Sequence, residues 1–126
     1  MYLWKNWMRN FRQLDVWNDA RTLVKEIYLI TNSFPNSERF GLTSQINRAS
    51  ISIPANIAEG CAKDSQKDFI RFLQISLGSA FELETHLIIS CDIGFITDKK
   101  LSLVIEKIQF LQKRISSLIK YRKTKL

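Results

Sequence analysis

The chain has 126 residues, 45% of them hydrophobic and 25% charged, which suits one globular domain built on a single core. Four Gly and two Pro are too few for the turns of a many-stranded sandwich or for a glycine-rich phosphate-binding fold, so the composition favours an all-helical architecture. Nineteen Lys and Arg against twelve Asp and Glu leave a net charge of +7, which favours polyanionic partners.

The first apolar periodicity sets Leu14, Trp17, Ala20, Val24, Ile27, Tyr28 and Thr31 on one stripe, and Asn32 to Asn36 end it. A second pattern runs from about Glu38 to Ala62, with Leu42, Ile46, Ala49, Ile53 and Ile57 on a common face. Pro54 interrupts it. A proline there removes the donor to the Ser50 carbonyl, so the spacing predicts a kinked second helix. The alternation Ser50-Ile51-Ser52-Ile53 also fits a strand, but a lone strand has nothing to pair with.

The third pattern opens on Ser65-Gln66-Lys67-Asp68, close to a capping box, and reaches about Asp92 before Gly94 offers a left-handed stop. Phe69, Leu73, Leu77, Ala80, Leu87 and Cys91 form its core stripe. Ile70, Phe72, Ile75, Phe81, Leu83, Ile88 and Ile89 spread around most of the remaining circumference, more apolar surface than one bundle core covers. The fourth helix starts after Thr97 and buries Leu101, Val104, Ile105, Ile108, Leu111, Ile115, Leu118 and Ile119. Leu103 and Phe110, seven residues apart on its other side, form a second contact strip for oligomer or partner. Short linkers join the four helices, and the most economical arrangement is an antiparallel up-and-down four-helix bundle over residues 11–126 that associates into a homo-oligomer.

Several segments together resemble a known family. They are Leu14-Asp15-Val16-Trp17 with Ala20; Phe40-Gly41-Leu42-Thr43-Ser44-Gln45-Ile46-Asn47-Arg48-Ala49; Ser52-Ile53-Pro54-Ala55-Asn56-Ile57-Ala58-Glu59-Gly60; and Phe72-Leu73 with Gly78-Ser79 and Glu82-Leu83-Glu84. In this order and spacing they look like the four-helix bundle family of 23S rRNA intervening sequence proteins, and are similar to the accessory variability determinant of diversity-generating retroelements. The resemblance implies a homopentamer of four-helix protomers and a role in RNA or DNA biology. Members begin near this chain's Met8, which implies that Met1 to Trp7 are an upstream start or an extension, and residues 1–10 are read as an N-terminal extension ahead of the bundle; members also carry an arginine near position 77, where this chain has Leu77.

Catalysis finds no support in the sequence. Cys61 and Cys91 stand thirty residues apart without a CxxC or nearby histidine, so neither a disulfide framework nor a zinc site is expected. The sole histidine, His86, has Leu83 three residues before it, whereas a di-iron bundle needs Glu-x-x-His pairs. A HEPN-type ribonuclease would need an arginine where Ser79, Ala80 and Phe81 stand, and neither Ser79 nor Ser90 sits on a nucleophile elbow. No cofactor is implied. With no apolar run near the roughly 18–20 residues of a membrane span, the chain reads as a cytoplasmic, non-catalytic protein.

The charge is concentrated at the ends. Residues 99–126 carry nine basic groups against Glu106, and residues 1–14 add Lys5, Arg9 and Arg12. Lys113, Arg114, Lys120, Arg122, Lys123 and Lys125 are the candidate nucleic-acid-binding residues, acting by phosphate neutralisation with weak sequence preference. Tyr121, Trp4 and Trp7 lie beside basic residues and offer stacking surfaces. Arg48, Asn56, Glu59 and Glu84 are read as a structural polar core, with Arg48 and Glu84 expected to pair between the second and third helices. Gly78-Ser79-Ala80 is expected to permit close helix approach. The alternative to nucleic-acid binding is an adaptor that docks a protein on Leu103 and Phe110 or on the outer face of the third helix.

Overall fold

A computed structural model describes residues 9–126, which form four helices: α1 (Asp15–Thr31), α2 (Leu42–Cys61), α3 (Gln66–Asp92) and α4 (Asp98–Lys123). Single 3-10 turns precede α1 and α2, and no strand occurs among the described residues. Ser50 to Ile53 are helical, because Ile53 is needed on the same buried face as Ala49 and Ile57. The expected caps operate. Ser65 Oγ accepts from the Asp68 amide at 3.1 Å, Thr97 Oγ1 accepts from the Lys100 amide at 3.2 Å, and Gly94 leaves α3 with a φ of 88°.

The second helix begins four residues later than expected. Asn36–Glu38 form a 3-10 turn instead, and Glu38 Oε1 accepts from the Leu42 amide at 3.2 Å, so a carboxylate ahead of α2 does the work of a cap. Pro54 lies inside α2, as expected. The stripe of α1 centres on Val16, Ala20, Leu23, Ile27 and Thr31; Val24 is only half-buried and Tyr28 exposed, so the true face is rotated from the expected one.

The four helices enclose one core, contributed by Ile27, Ile46, Ile53, Ile57, Phe69, Leu73, Leu83, Leu87, Ile108 and Ile115, all fully buried. Each such side chain contributes about 1.5–3 kcal/mol on leaving water. The contact of α2 with α3 is the most extensive, while that of α1 with α4 is the least extensive among the four adjoining pairs. On α3 the core absorbs more than the periodicity allowed, since Ile70, Phe72 and Leu83 are buried. Ile75, Phe81, Ile88 and Ile89 remain 42–54% exposed and form the surplus apolar face.

Gly60, on α2, has no room for a side chain against α3: a Cβ placed there would lie 2.8 Å from Phe72 Cβ and 3.1 Å from Phe69 Cδ1. Gly78 is not so confined. It is exposed, and a Cβ on it would meet nothing within 4 Å, which corrects the expectation for Gly78-Ser79-Ala80. Ser79 and Ala80 are buried, and Ser79 Oγ meets Ser52 Oγ at 2.8 Å across the α2–α3 seam.

Candidate nucleic-acid interface

The six basic residues of α4 and its tail separate into three groups. Lys113 and Lys120 are exposed and border a shallow depression of about 590 Å³ between α3 and α4, lined also by Leu77, Phe81, Gln112, Ser116 and Ser117. No acid lines it. Lys123 and Lys125 are exposed at the end of α4, and Lys125 Nζ stands 5.1 Å from the centre of the exposed Tyr121 ring. None of these four lysines has an acidic partner within the described residues.

Arg114 belongs elsewhere. Its guanidinium reaches Asp19 at 2.5 Å and Asp15 at 2.9 Å, both on α1, and lies 5.5 Å from the centre of the Phe110 ring. Its charge is locally matched, so it bridges α1 and α4 in place of facing solvent. Lys107 likewise pairs with Glu26 of α1.

Arg122 turns toward the end of the bundle. Its guanidinium carbon lies 5.3 Å from the Phe69 ring centre, and its Nε is buried without a hydrogen-bond partner. Arg9, from the segment before α1, covers the same ring at 4.3 Å and donates to the Lys63 carbonyl at 2.8 Å and to Gln66 Oε1 at 3.3 Å. Burial, and then the like charge of Arg122, lower the Arg9 guanidinium from its ordinary value. Lys63 Nζ stands over the Phe72 ring at 5.0 Å. Sequence reading placed Arg9 and Lys63 in no site, because more than fifty residues separate them from each other and from Arg122. Only the order of helix ends in a bundle could have signalled their meeting. Trp4, Lys5 and Trp7 lie outside the described residues.

The expected polar core is partly rearranged. Arg48 is exposed and pairs with Glu82, not Glu84. Glu84 faces α4 instead, accepting from Gln112 Nε2 at 2.7 Å and Gln109 Nε2 at 3.3 Å. Two residues along a helix are about 200° of rotation, which separates the α2-facing carboxylate from the α4-facing one. Asn56 Nδ2 donates to the Ser52 carbonyl at 2.8 Å and to Ser52 Oγ at 2.9 Å, within α2. Glu59 is exposed and makes no polar side-chain contact among the described residues, so it is no part of a buried network.

Leu103 and Phe110 are each 57% exposed. They line a groove of about 470 Å³ between α1 and α4 together with Asp19, Thr22, Leu23, Glu26, Glu106 and Lys107. The thiols are unactivated. Burial pushes Cys61 up to about 11 against the opposing pull of Arg9 and Arg122. Cys91 donates to Asp98 Oδ1 at 3.2 Å, which raises it as well. His86 Nε2 meets Glu82 Oε2 at 3.2 Å, a hydrogen-bonded imidazole as expected. Among the described residues no cluster of His, Cys, Asp or Glu suits a metal ion, and no helix is long and apolar enough to cross a membrane.

Comparison with known proteins gives two findings. Residues 12–117 match the family described as 23S rRNA-intervening sequence protein. Among solved structures, the chain is similar to a protein of unknown function from the S23 ribosomal protein family of Bacteroides thetaiotaomicron, with a TM-score of 0.77 and 28% identity, covering 83% of this chain and 95% of that one. No curated protein sequence matches.

Proposed function

The chain belongs to the 23S rRNA-intervening sequence protein family, and from that premise we propose that it is a non-catalytic, oligomeric four-helix bundle protein that binds RNA or single-stranded DNA. The observation that carries this reading is the set of exposed lysines on α4 and its tail, Lys113, Lys120, Lys123 and Lys125, with no acid among the residues lining the Lys113–Lys120 depression. Arg122 joins them at the helix end. Arg114, already matched by two carboxylates, contributes through α1–α4 geometry and little through phosphate contact.

Supporting the up-and-down antiparallel arrangement, α4 meets α1 in descending order: Lys107 pairs with Glu26, then Arg114 with Asp19 and Asp15. The surplus apolar face of α3 and the strip of Leu103 and Phe110 favour self-association, with the pentamer implied by family resemblance. Each protomer brings +7, so a ring of five concentrates about +35 formal charges and makes binding steeply salt-dependent. The unactivated cysteines and the imidazole held by Glu82 favour a non-catalytic role.

The test is a binding titration of single-stranded RNA at several salt concentrations, with Lys120, Arg122, Lys123 and Lys125 all changed to Glu in the variant. The four positions are worth about 3 in the slope of log K against log salt, at roughly 0.7 per phosphate contact, and the variant loses that much or more. Binding indifferent to both salt and charge reversal defeats the reading. A second reading, a protein adaptor, is favoured by the exposure of Leu103 and Phe110 over an apolar groove. Copurification with RNase-sensitive absorbance at 260 nm separates the two.

A further inference from the structure

We propose that Arg9 and Arg122, set over the Phe69 ring, together with Lys63 on the adjoining Phe72 ring, form a subsite for a phosphate monoester, the phosphorylated end of a nucleic-acid strand. The helix ends build it. Phe69 and Phe72 stand three residues apart on the first two turns of α3, Lys63 comes from the linker after α2, Arg122 from the end of α4 and Arg9 from the segment before α1. The inference rests on the nucleic-acid reading for the source of the phosphate, and on this cluster alone for the phosphate itself.

Packing alone does not account for the arrangement. Two guanidinium carbons, at 4.3 and 5.3 Å from the centre of one ring, hold like charges together over a fully buried phenyl group. Neither has an acidic partner among the described residues. Arg9 bonds only to neutral oxygens, of Lys63 and Gln66, and these hold its fork in place. Arg122 makes no side-chain hydrogen bond within the described residues, and its Nε is sealed from water. That nitrogen is out of a ligand's reach, but the terminal guanidinium nitrogens of Arg122 are neither sealed nor hydrogen-bonded among the described residues and are left to take a partner. The acids of this end do not supply one: Asp68 is turned to Arg71 at 3.8 Å, while Asp64 and Glu59 are exposed.

An oxyanion answers the unmatched charge and the open guanidinium nitrogens together. It relieves the repulsion between the guanidiniums and accepts from their planar forks, the geometry in which arginine recognises phosphate. Charge selects the class. A phosphodiester carries one negative charge, whereas a terminal monoester carries about −1.5 to −2 near neutral pH, matching two guanidiniums with an ammonium nearby. The internal phosphates of a strand are then left to the exposed lysines of α4.

The experiment uses the full chain and one short single-stranded RNA sequence in three forms: with a 5′-phosphate, with a 3′-phosphate, and with hydroxyls at both ends. Binding is followed by anisotropy, and inorganic phosphate is tested separately by its effect on Tm. At least one phosphorylated form binds about tenfold tighter than the hydroxyl form, the worth of one charge-assisted contact. Arg9→Gln and Arg122→Gln each bring that ratio to about one, whereas Lys113→Gln weakens all three forms alike and keeps it. Equal binding of the three forms by the unmodified protein overturns the proposal, as does a ratio that survives both arginine changes. If phosphate raises Tm in the unmodified protein but not in Arg122→Gln while no RNA binds, the subsite stands and the nucleic-acid reading falls. Salt-dependent RNA binding with neither end preference nor a phosphate effect overturns the subsite and leaves the nucleic-acid reading standing.

Discussion

The α2–α3 seam and the α1–α4 seam are built from the same chain by opposite means. Between α2 and α3 the contacts are short: Gly60 lets the Phe72 and Phe69 side chains approach, Ser76 Oγ donates to the Ile53 carbonyl at 2.9 Å, and Ser52 meets Ser79. Small polar groups there bond across helices without holding them apart. Between α1 and α4, long side chains span a gap: Lys107 reaches Glu26, and Arg114 reaches Asp15 and Asp19, over a groove that leaves Leu103 and Phe110 in water. One seam holds the protomer together, and the other leaves apolar surface available to a second molecule.

The contrast is broken most strongly at Gly60. Gly60→Val forces α2 away from α3, because even the Cβ falls inside van der Waals contact, and chemical denaturation is expected to show a loss of about 3 kcal/mol. Gly78→Ala is the counter-case. With open space around it and a helical backbone, it is expected to stabilise by about 0.5–1 kcal/mol. Stabilisation by Gly60→Val would show that the seam is looser than its contacts require.

Cys61 closes the same seam at the end of α2 and adds a pH test. Its thiol titrates near 11 in the folded chain because burial disfavours the thiolate, whereas an unfolded thiol titrates in the ordinary range. Between those values the native state holds a proton that the unfolded state has lost. Stability contributed by this group is therefore complete below the ordinary thiol range and falls as pH rises toward 11. Relative to Cys61→Ala, the unmodified protein is expected to lose about 1–2 kcal/mol between pH 8 and 11, read from paired denaturation curves. Parallel pH profiles for the two proteins would contradict it.

Across the open seam the effects shrink. Arg114→Gln removes two partly exposed ion pairs, and the expected loss is about 0.5–1 kcal/mol, diminishing as salt is added. A loss of the size expected at Gly60 would mean that the α1–α4 contact bears more of the fold than its geometry indicates.

Much of this contrast was legible in the sequence, and the illegible part has a common cause. Helix ends set by local chemistry, at Ser65, Thr97 and Gly94, were readable because the cap and the group it satisfies lie within a few residues. The start of α2 was not, since its amide is satisfied by Glu38 from a separate turn. Periodicity placed Leu103 and Phe110 on an exposed side but could not say which neighbour each charged residue faces. Glu82 and Glu84 were therefore exchanged as partners of Arg48, and Arg114 was grouped with free cations although its two carboxylates stand 95 and 99 residues earlier. The same limit hid the Arg9 and Arg122 pair, which exists only where the ends of four helices converge.

Phe110→Asp asks what the open seam is for. The ring is 57% exposed and contributes to no buried cluster, so the change is expected to alter protomer stability by less than about 0.5 kcal/mol. Its consequence lies outside the protomer. A new carboxylate on the strip, beside a groove that already holds Asp19, Glu26 and Glu106, places a charge that must be desolvated wherever a second copy would bury that surface. Native mass measurement is expected to show a shift toward smaller species with the helical content unchanged by circular dichroism. An unchanged mass would remove Leu103 and Phe110 from the assembly and leave the exposed face of α3, with Ile75, Phe81, Ile88 and Ile89, as the surface that self-association must use.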